Sequence, residues 1–140
     1  MRLMSRAHGV HDEMNGMSLS SPCPCNPDKT YSQCCKPLHE GAPAPTAEAL
    51  MRSRYSAYVL ELSEYLLSSW HPSTRPPVLE LESTKWLGLT VKAFSLTGDT
   101  AGVEFVARYK VQGKAYRLHE KSRFVREQSR WFYVDGDIEA

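Results

Sequence analysis

All four cysteines of the chain fall within thirteen residues, at Cys23, Cys25, Cys34 and Cys35. Thiolates are soft ligands, and a structural Zn²⁺ takes four ligands in a tetrahedron with Zn–S distances of roughly 2.3 Å. Two close pairs separated by an eight-residue loop can wrap one such ion. Four sulfur ligands leave no position for a catalytic water molecule. The spacing therefore predicts a closed, structural zinc site.

Other uses of these cysteines are less consistent with the sequence. Two disulfides require an oxidising compartment, and Met1–Ser18 lacks the apolar segment of a secretory signal. A bridge between the neighbours Cys34 and Cys35 would be strained. A redox dithiol is usually a C-x-x-C beside a βαβ pattern, which is absent here. Thiol chemistry or another metal stays open, with His39 as a conceivable replacement ligand. Reduced, clustered cysteines without an export signal predict a cytoplasmic protein.

Proline and helical turns are expected to position the two pairs. Pro22, Pro24 and Pro27 keep the backbone around the first pair out of a helix. The second pair follows Tyr31 directly and is predicted to lie at or near a helical turn.

Composition divides the chain into four parts. Residues 1–20 show no hydrophobic periodicity and are predicted to form a flexible tail, residues 21–40 form the zinc module, and residues 41–45 form a semi-extended, proline-rich linker. The remaining part, 46–140, is the main folded domain. We expect the module and this domain to have separate cores, so that Cys34→Ser would loosen the module alone.

The pattern of residues 46–140 changes from helix to strand. Thr46 is a candidate N-cap for a helix from Ala47 to about Leu60, and a second helix is predicted over Glu64–Trp70. Beyond Lys85 the period becomes two, in four runs separated by turns: Trp86–Leu96, Gly102–Val111, Ala115–Arg126 and Arg130–Asp135. Such runs predict an antiparallel meander. The fold class is therefore α+β, with helices packed on one face of a curved four-stranded sheet.

Large aromatic residues are expected to supply most of the core. The candidates are Tyr55, Tyr58, Trp70, Trp86, Phe94, Phe105, Phe124, Trp131 and Tyr133. The chain is 41% hydrophobic and 24% charged, as is typical of soluble globular proteins. No apolar run approaches the ~20 residues of a membrane helix. A net charge of +1 gives no polybasic footprint for nucleic acid.

Several motifs carry more information than composition does. They are Leu50–Tyr58, Ser69–Ser73, Trp86–Val91, Phe105–Tyr109, Glu120–Phe124 and Trp131–Gly136. The spacing C-P-C-x8-C-C resembles the SEC-C motif of the SecA translocation ATPase, with Asn26-Pro27 where that motif usually has Gly-Ser. Together these segments resemble the YchJ-like family of small bacterial proteins over residues 21–137. The resemblance implies a SEC-C zinc element joined to a domain of the nuclear-transport-factor-2-like (NTF2-like), or cystatin-like, superfamily.

Domains of that superfamily often have a pocket between the sheet and the helices. The polar candidates for its lining are Arg52, Tyr55, His71 and Glu120. Glu120 is expected on the apolar face of its strand, and Arg52, rather than Arg54, near the apolar side of the helix. Because a buried carboxylate needs a cation, we predict an Arg52–Glu120 pair, either structural or in a pocket where Glu120 is a general acid–base. His71 is a candidate base or a loop cap.

The opposite face of the Glu120 strand is expected to be basic. It carries His119 among Arg117, Lys121 and Arg123. This row is either a solvated sheet surface or a docking face for an acidic partner.

Two functions compete. The first is a non-enzymatic, zinc-binding adaptor whose module contacts a protein or ribonucleoprotein partner. The alternative is an enzyme or small-ligand-binding protein that uses the pocket of the α+β domain. No Ser-His-Asp order, phosphate loop or dinucleotide fingerprint identifies a reaction.

Overall fold

The computed structural model describes residues 21–139, so the predicted tail at residues 1–20 lies outside the described residues. The fold begins with a small antiparallel hairpin, β1 (Pro22–Cys23) and β2 (Asn26–Thr30). One 3-10 turn (Tyr31–Gln33) and a short helix α1 (Lys36–His39) follow. The second cysteine pair therefore lies between two helical turns, as predicted.

Two helices come next, α2 (Ala47–Leu60) and α3 (Ser63–Ser68). The Ala49 N–H donates to Thr46 Oγ1 at 3.0 Å, which confirms the predicted N-cap. Helix α2 ends where Glu61 takes left-handed backbone angles (φ 60°). Helix α3 is shorter than predicted, because the chain leaves it at Ser69 and Trp70 forms a bridge with β6.

The sheet consists of β3 (Lys85–Thr97), β4 (Thr100–Val111), β5 (Lys114–Glu127) and β6 (Arg130–Ile138). The strands are antiparallel and lie in the order β3-β4-β5-β6, which confirms the meander and the α+β class. No helix in the described part of the chain is long and apolar enough to span a membrane.

Helix α2 is buried nearly all round, because the cysteine module covers one side of it and the sheet covers the other. Its residues 53–58 are all buried. Cys23, Cys25, Tyr31 and Cys35 belong to the same continuous core as the sheet residues. The expectation of separate cores for module and domain is therefore wrong.

Most of the predicted core aromatics are buried, and Trp86 is partly buried. Phe94 is the exception, because its side chain is 70% exposed. It lies in the second half of β3, an edge strand that is exposed there on both faces.

Candidate metal centre

The four cysteine sulfurs lie within 4.8 Å of one another. Cys25 Sγ is 3.5 Å from that of Cys34, 3.6 Å from that of Cys35 and 3.7 Å from that of Cys23. The Cys34 and Cys35 sulfurs are 4.0 Å apart. A tetrahedral ion with Zn–S distances of roughly 2.3 Å requires sulfur–sulfur edges of about 3.8 Å. The sulfurs therefore fit one tetrahedral metal ion and are too far apart for disulfide bonds.

Local backbone structure places the two pairs. The β1–β2 hairpin presents Cys23 and Cys25, and the Asp28 N–H donates to Asn26 Oδ1 at 2.9 Å at the start of β2. The Cys34 N–H donates to the Tyr31 carbonyl at 3.1 Å and closes the 3-10 turn. The hairpin and the 3-10 turn thus bring the four sulfurs together without a large hydrophobic core between them.

Burial makes the cluster unfavourable for charge without a cation. Cys23, Cys25 and Cys35 are buried, whereas Cys34 is partly exposed. Hydrogen bonds to Cys23 and Cys25 raise the pKa of the Cys35 thiol, and burial raises that of Cys34. The hydrogen bond shared with Cys23 raises the pKa of Cys25 to about 12, while the same contact lowers that of Cys23. A divalent cation would let all four ionise together.

Helix α2 supplies a second layer around the sulfurs. Ser56 is fully buried, and its hydroxyl donates to Cys35 Sγ at 3.2 Å and lies 3.7 Å from Cys23 Sγ. Arg52 Nη1 donates to the Cys25 carbonyl at 3.1 Å. Ser56 is not among the site residues that the sequence predicts. The available signal was its spacing of one helical turn from Arg52 and Ser53, which marks one side of the helix.

His39 links the module to α2 and is not one of the clustered ligands. Its Nε2 lies 2.9 Å from the Ser53 carbonyl oxygen, and its Nδ1 lies 2.8 Å from the Tyr31 hydroxyl. A carbonyl can only accept, so Nε2 carries the proton and Tyr31 donates to Nδ1. Burial lowers the pKa of His39, which favours this neutral form.

The predicted Arg52–Glu120 pair is wrong. Arg52 Nε instead pairs with Glu48 Oε2 at 2.9 Å, one turn earlier on α2. Arg54, which was expected to point away from the core, is only 2% exposed. The helical period places Arg52 on the module side and Arg54 on the sheet side, and both sides are covered.

Arg54 is held by the protein between α3 and β6. Its Nη1 donates to the Leu66 carbonyl at 2.7 Å and to Ser69 Oγ at 2.6 Å. The guanidinium lies 4.5 Å from the centroid of the Tyr133 ring. Burial lowers the pKa of Arg54, and the neighbouring Tyr58, Tyr133 and Tyr65, followed by Glu120, oppose this effect.

Glu120 is fully buried, as the strand pattern predicted. Its Oε2 accepts from Ser122 Oγ at 2.6 Å and from the Tyr133 hydroxyl at 3.2 Å. The carboxylate occupies the space above Gly136, where a Cβ atom would lie 2.8 Å from Glu120 Cδ. Glycine at position 136 therefore makes room for the buried carboxylate.

The space between α2 and the sheet is small. A cavity of about 10 Å³ is lined by Arg54, Tyr55 and Ser122 together with apolar side chains. That volume holds about one water molecule. His71 lies elsewhere, with its Nε2 3.0 Å from Glu127 Oε2 and its Nδ1 2.7 Å from Ser73 Oγ. The four proposed pocket residues are therefore not brought together.

Comparison with known proteins gives a consistent result. The family described as "YchJ, middle NTF2-like domain" matches residues 46–136. A UPF0225 protein of Bordetella pertussis is 57% identical over 127 residues, which cover 85% of this chain and 96% of that protein. A UPF0225 protein of Xanthomonas campestris is 53% identical over 128 residues, covering 88% and 99%.

Two solved structures are similar over most of the chain. The solution structure of a SEC-C motif containing protein from Rhodopseudomonas palustris has a TM-score of 0.77 and 34% identity, and the match covers 85% of this chain and 99% of that one. The crystal structure of a SEC-C motif containing protein from Psychrobacter arcticus has a TM-score of 0.69 and 31% identity, with 86% and 83% covered.

Proposed function

We propose that this chain, which belongs to the YchJ family of proteins with an NTF2-like middle domain, is a non-enzymatic zinc-binding adaptor. The observation that carries the proposal is the tetrahedral arrangement of the four cysteine sulfurs. Both structural neighbours are SEC-C motif containing proteins, which supports it. Zinc is favoured because four thiolates in a tetrahedron are a common structural zinc site.

The ion would shape a contact surface rather than carry out a reaction. Four sulfurs fill its coordination sphere, so no position is left for a substrate. The turns that hold the sulfurs expose Pro27, Asp28, Lys29, Gln33 and Pro37 to solvent. These exposed residues, which we call the module surface, are the proposed contact for a protein or ribonucleoprotein partner.

Metal content tests the first half of the proposal. Freshly purified, reduced protein should contain about one equivalent of zinc, and a variant with all four cysteines changed to serine should contain none. Substitution by Co²⁺ should give the absorption of a tetrahedral thiolate complex. Less than about half an equivalent of any divalent metal would refute the zinc site.

The partner requires a separate test, because loss of the cysteines also disturbs the core. Affinity purification should compare wild type with Lys29→Glu/Gln33→Lys, which changes the module surface and keeps the ligands. Val78→Ser, at a side chain that is 64% exposed, is the control. The proposal expects one partner to be lost from the first variant alone, with ribonuclease treatment distinguishing protein from ribonucleoprotein. Equal recovery from all three proteins would refute it.

A further inference from the structure

The two edge strands of the sheet, β6 and β3, differ in the hydrogen bonding of their outer backbone groups. On β6, the Tyr133 N–H donates to the Ser69 carbonyl at 2.9 Å, and the His71 N–H donates to the Tyr133 carbonyl at 2.7 Å. These bonds cover the middle of that edge. Strand β3 pairs only with β4 among the described residues, and bulges interrupt that pairing between Trp86 and Gly88 and between Val91 and Ala93. The Gly88 backbone also hydrogen-bonds to Tyr55, so the regular open stretch of the outer side is residues 93–97. Beyond the second bulge the edge carries no lysine and no further irregularity, so residues 93–97 are a template for another strand.

The second half of β3 exposes apolar side chains on the core side of the sheet. Phe94 is 70% exposed and Leu96 is 63% exposed. They lie directly opposite Val103 and Ala101, and directly opposite residues share a face. The face that α2 covers elsewhere is therefore uncovered here. An open groove of about 420 Å³ runs beside it, between the Glu48–Arg52 pair and Phe94.

The first half of β3 borders a group of unpaired cations on the outer face. Lys85 lies directly opposite Lys110, and Arg108 lies directly opposite Arg117. Like charges in these positions destabilise a sheet. No described carboxylate forms an ion pair with any of the four. This arrangement lacks the charge compensation found farther along the same face.

Farther along this outer face, the basic side chains have carboxylate partners within the protein. On the same outer face, His119 Nε2 lies 2.6 Å from Glu104 Oε2. Arg123 pairs with Asp135 at 2.6 Å and with Asp137 at 2.8 Å. The excess positive charge is therefore confined to the part of the face next to the first half of β3.

Arg108 reaches from β4 to the open edge. Its Nη1 donates to Thr90 Oγ1 of β3 at 3.3 Å. Its guanidinium lies over Gly88, where a Cβ atom would be 2.6 Å from Nη2. A glycine at that position of β3 thus leaves room for a cation above the edge strand.

We propose that β3 is a docking edge for an extended acidic and apolar segment of a partner protein, which adds as a fifth antiparallel or parallel strand. Its backbone pairs with the open side of β3, its carboxylates lie against Lys85 and Arg108, and its apolar side chains cover Phe94 and Leu96. A nucleic acid would satisfy the cations but would match neither the strand ladder nor the apolar half. None of the four cysteines lines this surface.

The probe is a fluorescein-labelled ten-residue peptide in which glutamate alternates with threonine in one half and valine alternates with threonine in the other. Both chain directions are used, because an edge strand can pair with a parallel or an antiparallel partner. Binding should be saturable, and amide NMR shifts should be largest over residues 85–97. A peptide with lysine for glutamate and an N-methylated peptide should bind at least about tenfold more weakly, because the first loses charge complementarity and the second loses backbone pairing.

Exposed substitutions locate the contact with little effect on folding. Phe94→Ser/Leu96→Ser should weaken binding about tenfold or more, since burial of these side chains is lost. Arg108→Gln should weaken it about fivefold at low salt and less at high salt. The matched controls are Ile138→Ser, on the other edge strand and 61% exposed, and Lys121→Gln, an exposed cation away from β3. Neither control should change the affinity.

Several outcomes would overturn the proposal. The first is the absence of saturable binding up to about 1 mM peptide, and the second is equal binding of the lysine or N-methylated peptide. Concentration-dependent self-association that Phe94→Ser/Leu96→Ser abolishes would assign the edge to a second copy of the chain. Tighter binding of a single-stranded oligonucleotide at the same residues would assign the surface to nucleic acid. Contacts between residues 1–20 and Phe94 in the free chain would assign it to the chain itself.

Discussion

Helix α2 has buried polar side chains on two sides, and they obtain their partners in different ways. On the module side, Ser56 contacts cysteine sulfurs and the Ser53 carbonyl contacts His39, so these groups depend on the folded module. On the sheet side, Arg54 is held by carbonyl, hydroxyl and aromatic groups of α3 and β6. Loss of metal should therefore act directly on the first set, and on the second set only through the core that the module and the domain share.

The largest expected effect is that of metal on the whole chain. Because Cys23, Cys25 and Cys35 belong to the continuous core, removal of zinc by a chelator should lower the single melting transition by on the order of 10 °C or more. Cys35→Ser should have the same effect without chelator, and added zinc should restore only the wild type. Calorimetry checks this.

A separate minor transition, with the main transition unchanged, would contradict the coupling. It would mean that the cysteine module unfolds independently of the domain, as expected from the sequence. Cys34→Ser provides the matched comparison, since Cys34 is the partly exposed ligand and, unlike Cys23 and Cys35, makes no hydrogen bond to Ser56 in the described part of the chain.

The sequence predicted the meander, the Thr46 cap and the close approach of the cysteines, because each depends on local spacing or on an alternating pattern. It did not predict the roles of Arg54 and Ser56. Serine and arginine on a helix usually mark its solvent side, and this rule fails when both sides are covered. The burial of Glu120, on the same strand face as Ser122, follows from the period of two. Its contacts with Tyr133 and Gly136 do not, because those residues reach it only through the β5–β6 register.

The next effect compares two arginines of α2. Arg54→Met should destabilise the fold by about 3–5 kcal/mol, because it removes a buried cation near the buried Glu120. Arg52→Met should cost about 1 kcal/mol, since it breaks a partly exposed pair with Glu48 and one bond to the Cys25 carbonyl. Urea unfolding of the zinc-loaded proteins measures both.

A double variant identifies the origin of the Arg54 effect. If Glu120 is the charge left uncompensated, Arg54→Met/Glu120→Gln should recover part of the lost stability. Glutamine keeps an oxygen that can accept from Ser122. If Arg52→Met and Arg54→Met lowered the free energy of unfolding by the same amount, the buried sheet side and the partly exposed module side of α2 would contribute equally, which would contradict this comparison.

Two serines of α2 separate metal affinity from stability. Ser56→Ala should weaken zinc binding about tenfold, because the Cys35 sulfur loses a hydrogen bond from a buried hydroxyl. Ser53 is equally buried, but its hydroxyl contacts the Leu50 carbonyl and the Tyr65 hydroxyl. Ser53→Ala should therefore reduce stability and leave the zinc affinity unchanged. Competition with a chromogenic chelator measures both affinities, and a parallel change in the two variants would contradict a direct role for Ser56.

The smallest effect concerns His39, which joins the two regions through hydrogen bonds to Tyr31 and Ser53. His39→Gln should cost about 1 kcal/mol near pH 7.5, because glutamine cannot make both bonds in the same geometry. Burial lowers the pKa of His39 in the folded chain, so below about pH 6.5 the unfolded chain binds more protons than the folded one. Wild type therefore loses stability as the pH falls, and glutamine, which does not titrate, does not share this loss.

Urea unfolding in saturating zinc should show the difference in unfolding free energy between the two proteins narrowing from about pH 7.5 to about pH 5.5. The same ligands bind zinc in both, so acid-induced loss of metal cancels in this difference. A difference that grows towards low pH would mean that His39 is charged in the fold, and its contact with Tyr31 would then need the opposite assignment of the donor.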